Sequence, residues 1–412
     1  MAVKRKREEE EAETMKELRD EEANATMADW LTALPESLQI HILSSLETRY
    51  TVQTSTLSKS WVSPWTCIPI LNFRSYGFKK LCSFDKFVVK TLSVRGSVKL
   101  DKLTFKRGGT CSAKILKKVF DYAFLQGVKE LEADIIYSRN NKRWPIWLHT
   151  SSDSLTSLKL ESRSDIGCSF LEPRSGSFKN LTKLHLRRAI ITDPDPFSGF
   201  PALEKLVLFY CHLQTDGNTL NIRAPQLSEL TISYYNQYVN RCELNTPKLR
   251  YFECEGNNFP RLKTHQGGLP VLDTAVIGYN GFCSQNQEKM MFDDLLMLFS
   301  SIYNAKSLTV SSSVVHLLTL FPDELVKQCS PFRDLKCLKL DFSSFHYQKL
   351  FAGPCRPLKE ALRLLPSVQA YLLQKSHDVK CTMICPEDPN AKSTCSRSHA
   401  SQTCVCVQIN IL

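Results

Sequence analysis

The sequence predicts an α/β chain: a short N-terminal helical module, then a solenoid of stacked strands forming a parallel sheet on a concave face. Three observations predict it. Leu38, Ile42, Leu43 and Leu46 recur at helical spacing near the N-terminus. From residue 98 onward a pattern of the form LxxLxL returns at a near-regular period. The composition, 42% hydrophobic and 23% charged over 412 residues, is that of an ordinary globular chain. The longest apolar run, Val314 to Phe321, is interrupted by His316 and Thr319 and is far too short to span a membrane.

Residues 1–29 read as a disordered charged arm. They hold six Lys/Arg and ten Asp/Glu, a net of −4, within a chain of net +11. Lys4, Arg5, Lys6 and Arg7 form a short basic cluster of the nuclear-import type. The alternative is a solvated charge run. No apolar core follows these charges, so no secretory signal is expected. The expected location is the nucleus, the cytoplasm or both.

Residues 30–73 change character. Leu34–Pro35 opens a helix, since proline is tolerated at the first helical position. Leu38, Ile42, Leu43 and Leu46 then mark one face of a helix of about 12 residues. A polar break is expected at Glu47 to Tyr50. A second apolar set, Val52, Leu57, Trp61 and Trp65, follows at mostly helical spacing, with a bend or restart expected at Pro64. Helices this short need a partner surface, in the chain or on another protein.

This stretch resembles the F-box of the plant-type F-box/LRR-repeat family. The matching residues are Leu34–Pro35, Leu38, Ile42–Leu43–Ser44, Leu46, Thr54–Ser55, Leu57–Ser58–Lys59, Trp61, Trp65, Pro69 and Asn72–Phe73. The departures are Glu47, where the family usually has proline, Ser60, where it usually has a basic residue, and Pro64. The resemblance implies docking on a Skp-type adaptor and, through it, on a cullin scaffold. The adaptor-facing surface and its support are expected to comprise Leu34, Pro35, Leu38, Ile42, Leu43, Leu46, Leu57 and Trp61. Residues 74–97 are expected to connect the module to the repeats. Within them SFDKFVVKTLSVRG resembles the family's connecting helix.

Ten repeats are expected between residues 98 and 345. They begin at Leu100, Val128, Leu155, Leu181, Leu203, Leu227, Leu249, Leu272, Ala305 and Leu335. Most steps lie within or near the leucine-rich-repeat period. The spaced apolar residues of each repeat should point inward, because strand side chains alternate. One repeat cannot bury its own apolar side, so repeats must stack. The wider steps after Leu272 and Ala305 predict insertions, with a helix from Gln287 to Tyr303 carrying Phe292, Leu295, Leu296 and Phe299 in phase. Ala361 to Gln374 reads as a C-terminal cap helix within 346–375, and 376–412 as a flexible cysteine-rich tail.

The chemistry-bearing residues point to binding, not catalysis. There is no Gly-rich phosphate loop, no HExxH and no GxSxG, and no cofactor is expected. Asp193 and Asp195 sit in TDPDPF, a turn composition. His185 and His212 read as surface or satisfied histidines. Most of the sixteen cysteines sit singly among apolar residues, as free buried thiols do. In the tail, Cys381, Cys385, Cys395, Cys404 and Cys406 cluster with His377 and His399, but their CxxxC and CxC spacings fit a zinc site poorly. The basic balance raises nucleic acid as a partner, yet no Lys/Arg run with interleaved aromatics follows residue 7.

The outward middle column of the repeats is expected to run Thr104, Glu132, Lys159, His185, Val207, Thr231, Glu253, Val276, Thr309 and Lys339. It is acidic near Glu130, Glu132 and Asp134. It turns basic and aromatic at Lys183, His185, Arg187, Lys205, Val207 and Phe209, the expected substrate-binding patch, and acidic again at Tyr251, Glu253 and Glu255. Together these readings predict a non-catalytic, substrate-recognition subunit of a Skp-cullin-F-box ubiquitin ligase that binds a protein substrate. The alternatives are a repeat scaffold with a decayed F-box and a basic nucleic-acid binder.

Overall fold

The computed structural model describes residues 15–16, 33–137, 152–162, 168–170, 178–193, 195–214, 219–233, 241–264, 268–280, 285–341, 366–376, 378–385 and 405–409. Lys4 to Arg7, His377, Cys395, His399, Cys404 and the first five residues of the expected cap helix lie outside them. The chain divides into two compact units, Met1–Ala133 and Asp134–Leu412.

The first unit begins with the helical module. Its first helix is Glu36–Ser44, nine residues, with Pro35 one position ahead of the helix and not inside it. The expected polar break is shorter than the sequence suggested. A second helix, Thr48–Gln53, starts within it. Thr48 and Thr51 are fully buried because their hydroxyls serve the backbone. Thr48 Oγ1 accepts from the Asn72 amide at 2.7 Å, and Thr51 Oγ1 donates to the Leu43 carbonyl at 3.1 Å. Short 3-10 turns at Thr54–Thr56 and Lys59–Trp61 follow, then the helix Pro64–Cys67, in which proline takes the first turn.

Strand Ile70–Arg74 already belongs to the sheet. It pairs in parallel with Lys102–Cys111, Asn72 opposite Thr104. The sheet therefore starts inside the stretch read as F-box. The crossover between these strands carries the helix Leu81–Arg95, closed by Gly96 at φ 69°, a left-handed turn that glycine adopts without strain. Arg107 reaches back to this helix with a bidentate pair to Asp85, at 2.8 and 2.9 Å. Arg107 is only 7% exposed, so the pair is a fixed tie between strand and helix.

The second unit holds the repeat ladder. Strands Ser157–Ser162, Lys183–Arg187, Lys205–Phe209, Glu229–Ser233, Tyr251–Gly256, Thr274–Tyr279, Ser307–Ser311, Cys337–Asp341 and Lys380–Cys385 lie side by side in sequence order, all parallel. Val405–Ile409 closes the row antiparallel. The inward column reads Leu158, Leu184, Leu206, Leu230, Phe252, Ala275, Leu308, Leu338 and Cys381, each at most 5% exposed. The outward column expected from the sequence holds throughout this unit, from Lys159 opposite His185 to Thr309 opposite Lys339.

Two features of this unit were not expected, the second strands behind the ladder and a further ladder strand at Lys380–Cys385. Behind the ladder, repeats of short step place a second strand instead of a helix. Cys168–Phe170, Ala189–Ile191 and His212–Leu213 make one three-stranded sheet; Thr219–Arg223, Arg241–Asn245 and Arg261–Thr264 make another. The helix Gln285–Ser301 appears where the step widens, with Phe292, Leu295, Leu298 and Phe299 buried and Leu296 half-buried. The described part of the cap helix is Pro366–Leu373, which buries Val368, Tyr371 and Leu372. Beyond it, Lys380–Cys385 is a ladder strand and not part of a loose tail.

Candidate functional site

The helical module leaves an apolar strip uncovered. Of the expected adaptor-facing residues, Leu43 and Trp61 are interior, at 0% and 3% exposure, and act as support. Leu34 is half-buried and Pro35 exposed. Leu38, Ile42 and Leu46, spaced by four, are exposed at 49%, 43% and 37%, and Leu57 at 64%. Tyr50 and Val62, which the sequence reading left out, are exposed at 53% and 50%. Tyr50 lies in the second helix, beyond the extended Glu47, so the spacing of the first helix does not reach it.

The departures from the family pattern are absorbed locally. Glu47 keeps φ at −65°, the value a proline ring would impose, and its carboxylate meets Arg74 at 3.6 Å. Ser60 shares a hydrogen bond with Ser58 at 2.8 Å. Pro64 starts a new helix, as expected. Below the strip, Arg49 donates to the Gly77 carbonyl at 2.6 Å and lies over the Phe78 ring at 4.9 Å. The module is thus firmly built, and its exposed leucines are a surface rather than loose packing.

The outward face of the ladder carries the second candidate site. Lys183 is exposed; His185, Arg187, Val207 and Phe209 are half-buried beside it. The Arg187 guanidinium lies over the Phe209 ring at 5.1 Å, and the Tyr210 ring sits tilted beside Phe209, centroids 4.2 Å apart. Arg188 and Tyr210, which end the neighbouring strands, both take left-handed backbone, φ 54° and 55°. Such residues are uncommon outside glycine and cluster at functional edges. Lys205 is tied to Glu229, while Lys159 and His185 share Glu161 at 3.1 and 3.6 Å. Two of the six expected substrate-contacting residues therefore spend charge or hydrogen bonds within the ladder.

Two strands further on, the face is acidic. Glu253 accepts from the Tyr251 hydroxyl at 2.9 Å and from Thr231 at 3.1 Å. Burial, and then that hydrogen bond, push the Tyr251 phenol up, so it stays protonated and donates. Glu255 accepts from Asn280 at 2.8 Å and lies over Gly278, where a Cβ would meet its Cγ at 2.9 Å. The acidic patch expected near the second repeat differs. Glu130 and Glu132 are paired with Lys102 and Lys106 at 2.9 and 2.8 Å, and Asp134 and Thr104 are buried, at 4% and 5%. Asp193 and Asp195 form a turn, Asp193 Oδ1 accepting from the Asp195 amide at 2.7 Å. Among the described residues no cluster of His, Cys, Asp or Glu could hold a metal, and no helix is long and apolar enough to cross a membrane.

Residues 89–405 match the family model described as At1g61320/AtMIF1, LRR domain. The chain belongs to the plant F-box/LRR-repeat protein family. This F-box/LRR-repeat protein is 31% identical over 245 residues to the F-box/FBD/LRR-repeat protein At2g04230 of Arabidopsis thaliana, covering 55% of this chain and 53% of that one. It is 27% identical over 318 residues to the F-box/LRR-repeat protein At3g26922 of the same plant, covering 75% of this chain and 95% of the relative. It thus spans about half the length of the first relative and nearly all of the second. No solved structure matches it. F-box/LRR-repeat proteins are repeat-based interaction proteins, and none of these relatives is named for an enzyme.

Proposed function

We propose that this F-box/LRR-repeat protein is the substrate-recognition subunit of a Skp-cullin-F-box ubiquitin ligase. The observation that carries the reading is the exposed strip of Leu38, Ile42, Leu46, Tyr50, Leu57 and Val62 on a module whose interior is otherwise closed. Apolar surface of that extent on a small module marks a protein interface. A Skp-type adaptor covers it and links the chain to a cullin scaffold. The ladder holds a protein substrate. The chain performs no bond-making step; it raises the effective concentration of substrate near the loaded conjugating enzyme.

The scaffold reading, with a decayed F-box, loses ground because Glu47, Ser60 and Pro64 each fit without disturbing the strip. A nucleic-acid partner is disfavoured by the acidic strand that carries Glu253 and Glu255, three strands from the basic one. Co-expression of the full chain with a Skp-type adaptor tests the proposal. A complex with one copy of each is expected through gel filtration; a chain that elutes alone at micromolar concentration overturns it.

The same proposal places the chain in the nucleus and the cytoplasm, with Lys4 to Arg7 as the import signal. A chain beginning at Met27 loses only the charged arm. It is expected to bind the adaptor normally and to show a nuclear fraction reduced by at least half. An unchanged fraction removes Lys4 to Arg7 from that role.

A further inference from the structure

Part of the charge on the ladder face between Ser157 and Tyr279 is neutralised between neighbours. Lys159 and His185 meet Glu161, and Lys205 meets Glu229. Two sets of charges stand apart. Lys183 and Arg187, on one strand, meet no carboxylate among the described residues; Arg187 rests instead on Phe209. Glu253 and Glu255, three strands along, accept among the described residues only from the neutral Thr231, Tyr251 and Asn280. The strand order between the two sets is fixed by the register Arg187–Phe209–Ser233–Glu255. In the middle, Ser233 is 3% exposed and its hydroxyl has no hydrogen-bond partner among the described residues.

We infer that the ladder face binds an extended peptide segment of mixed charge. An anionic side chain meets Arg187, an apolar one rests on Phe209, and a cationic one meets Glu253 and Glu255, with Lys183 adding positive charge at the far end of the same strand as Arg187. The inference rests on the repeat array being the partner-holding surface and is independent of adaptor docking.

The spacing follows from sheet geometry. Neighbouring strands lie about 4.8 Å apart, so the two charge sets are separated by about 14 Å, the reach of four or five residues of extended chain. The apolar anchor falls one strand from the cations, one or two residues from the anion. A carboxylate and a phosphate share the needed chemistry, since a guanidinium grips either in two places. A nucleic-acid strand does not fit, because its uniform negative charge would be repelled at Glu253 and Glu255. Held in place by Asn280 and Tyr251, those carboxylates are already oriented for a cation.

The test uses the full chain and synthetic nonapeptides in fluorescence anisotropy. Each peptide carries glutamate or phosphoserine, leucine two positions on and arginine five on, in both chain directions. Controls have the same composition with arginine beside the anion. Patterned peptides are expected to bind at least tenfold tighter than controls, with the tighter of the two anions identifying the source. Lys183→Glu with Arg187→Glu should erase that preference. Adding Glu253→Lys and Glu255→Lys should transfer it to peptides with the two charges exchanged, which a merely damaged surface would not do. Equal binding of patterned and control peptides, an unchanged preference in the double variant, or equal binding of a single-stranded oligonucleotide would each overturn the inference. Adaptor co-purification of the same variants is followed in parallel. Its loss, with peptide preference intact, counts against the ligase reading alone.

Discussion

Leu206→Ala is expected to lower the stability of the repeat array by about 2–5 kcal/mol. Leu206 is fully buried in the inward column, with Leu184 and Leu230 as its register neighbours. Removing it opens a cavity between two repeats, and each repeat depends on its neighbours for burial. Thr231, one position along the next strand, faces outward and donates to Glu253 at 3.1 Å. Thr231→Ala is expected to cost about 1 kcal/mol or less, since Glu253 keeps its bond from Tyr251. Urea denaturation followed by far-ultraviolet circular dichroism compares the two. Equal midpoints would mean the register is shifted by one, because a one-residue slip exchanges the two faces.

Leu38→Asp with Leu57→Asp is expected to abolish recovery of the adaptor, a loss of at least a hundredfold in affinity. Each leucine buried in an interface contributes about 1.5–3 kcal/mol, and every 1.4 kcal/mol is about tenfold. The side chains are 49% and 64% exposed in the free chain, so the fold should be untouched. Leu43→Ala serves as the contrast. Leu43 is fully buried, and its loss should lower the melting temperature of the module before it affects docking. Undiminished adaptor binding by the double variant, measured by surface plasmon resonance, would move the docking surface off this strip.

The two sites were legible to different degrees. The strip was readable because helical spacing places Leu38, Ile42 and Leu46 together. Which of the leucines turn outward was not, since Leu43 and Ile42 are adjacent in sequence and differ only in what covers them. The first ladder strand was readable in principle, because Ile68, Leu71 and Phe73 carry the repeat spacing, but the same residues also complete the F-box pattern. The last was not. Lys380–Cys385 places Cys381 and Met383 where other repeats place leucine, and it is held by pairing with Cys337–Asp341.

By itself the sequence determined the period, the alternation and hence the outward column, because strand side chains alternate within a single short segment. Only the tertiary structure decided which charges on that column remain available. Lys205 and Glu229 are 24 residues apart, yet face each other across one strand step. Glu132 is neutralised by Lys106, and Asp134 is buried. The second strands behind the ladder were decided in the same way. Steps of 22 to 26 residues leave room for a short extended segment, and pairing with the next repeat satisfies its backbone. Alternation is a property of one segment, whereas charge pairing and backbone satisfaction depend on which repeats become neighbours.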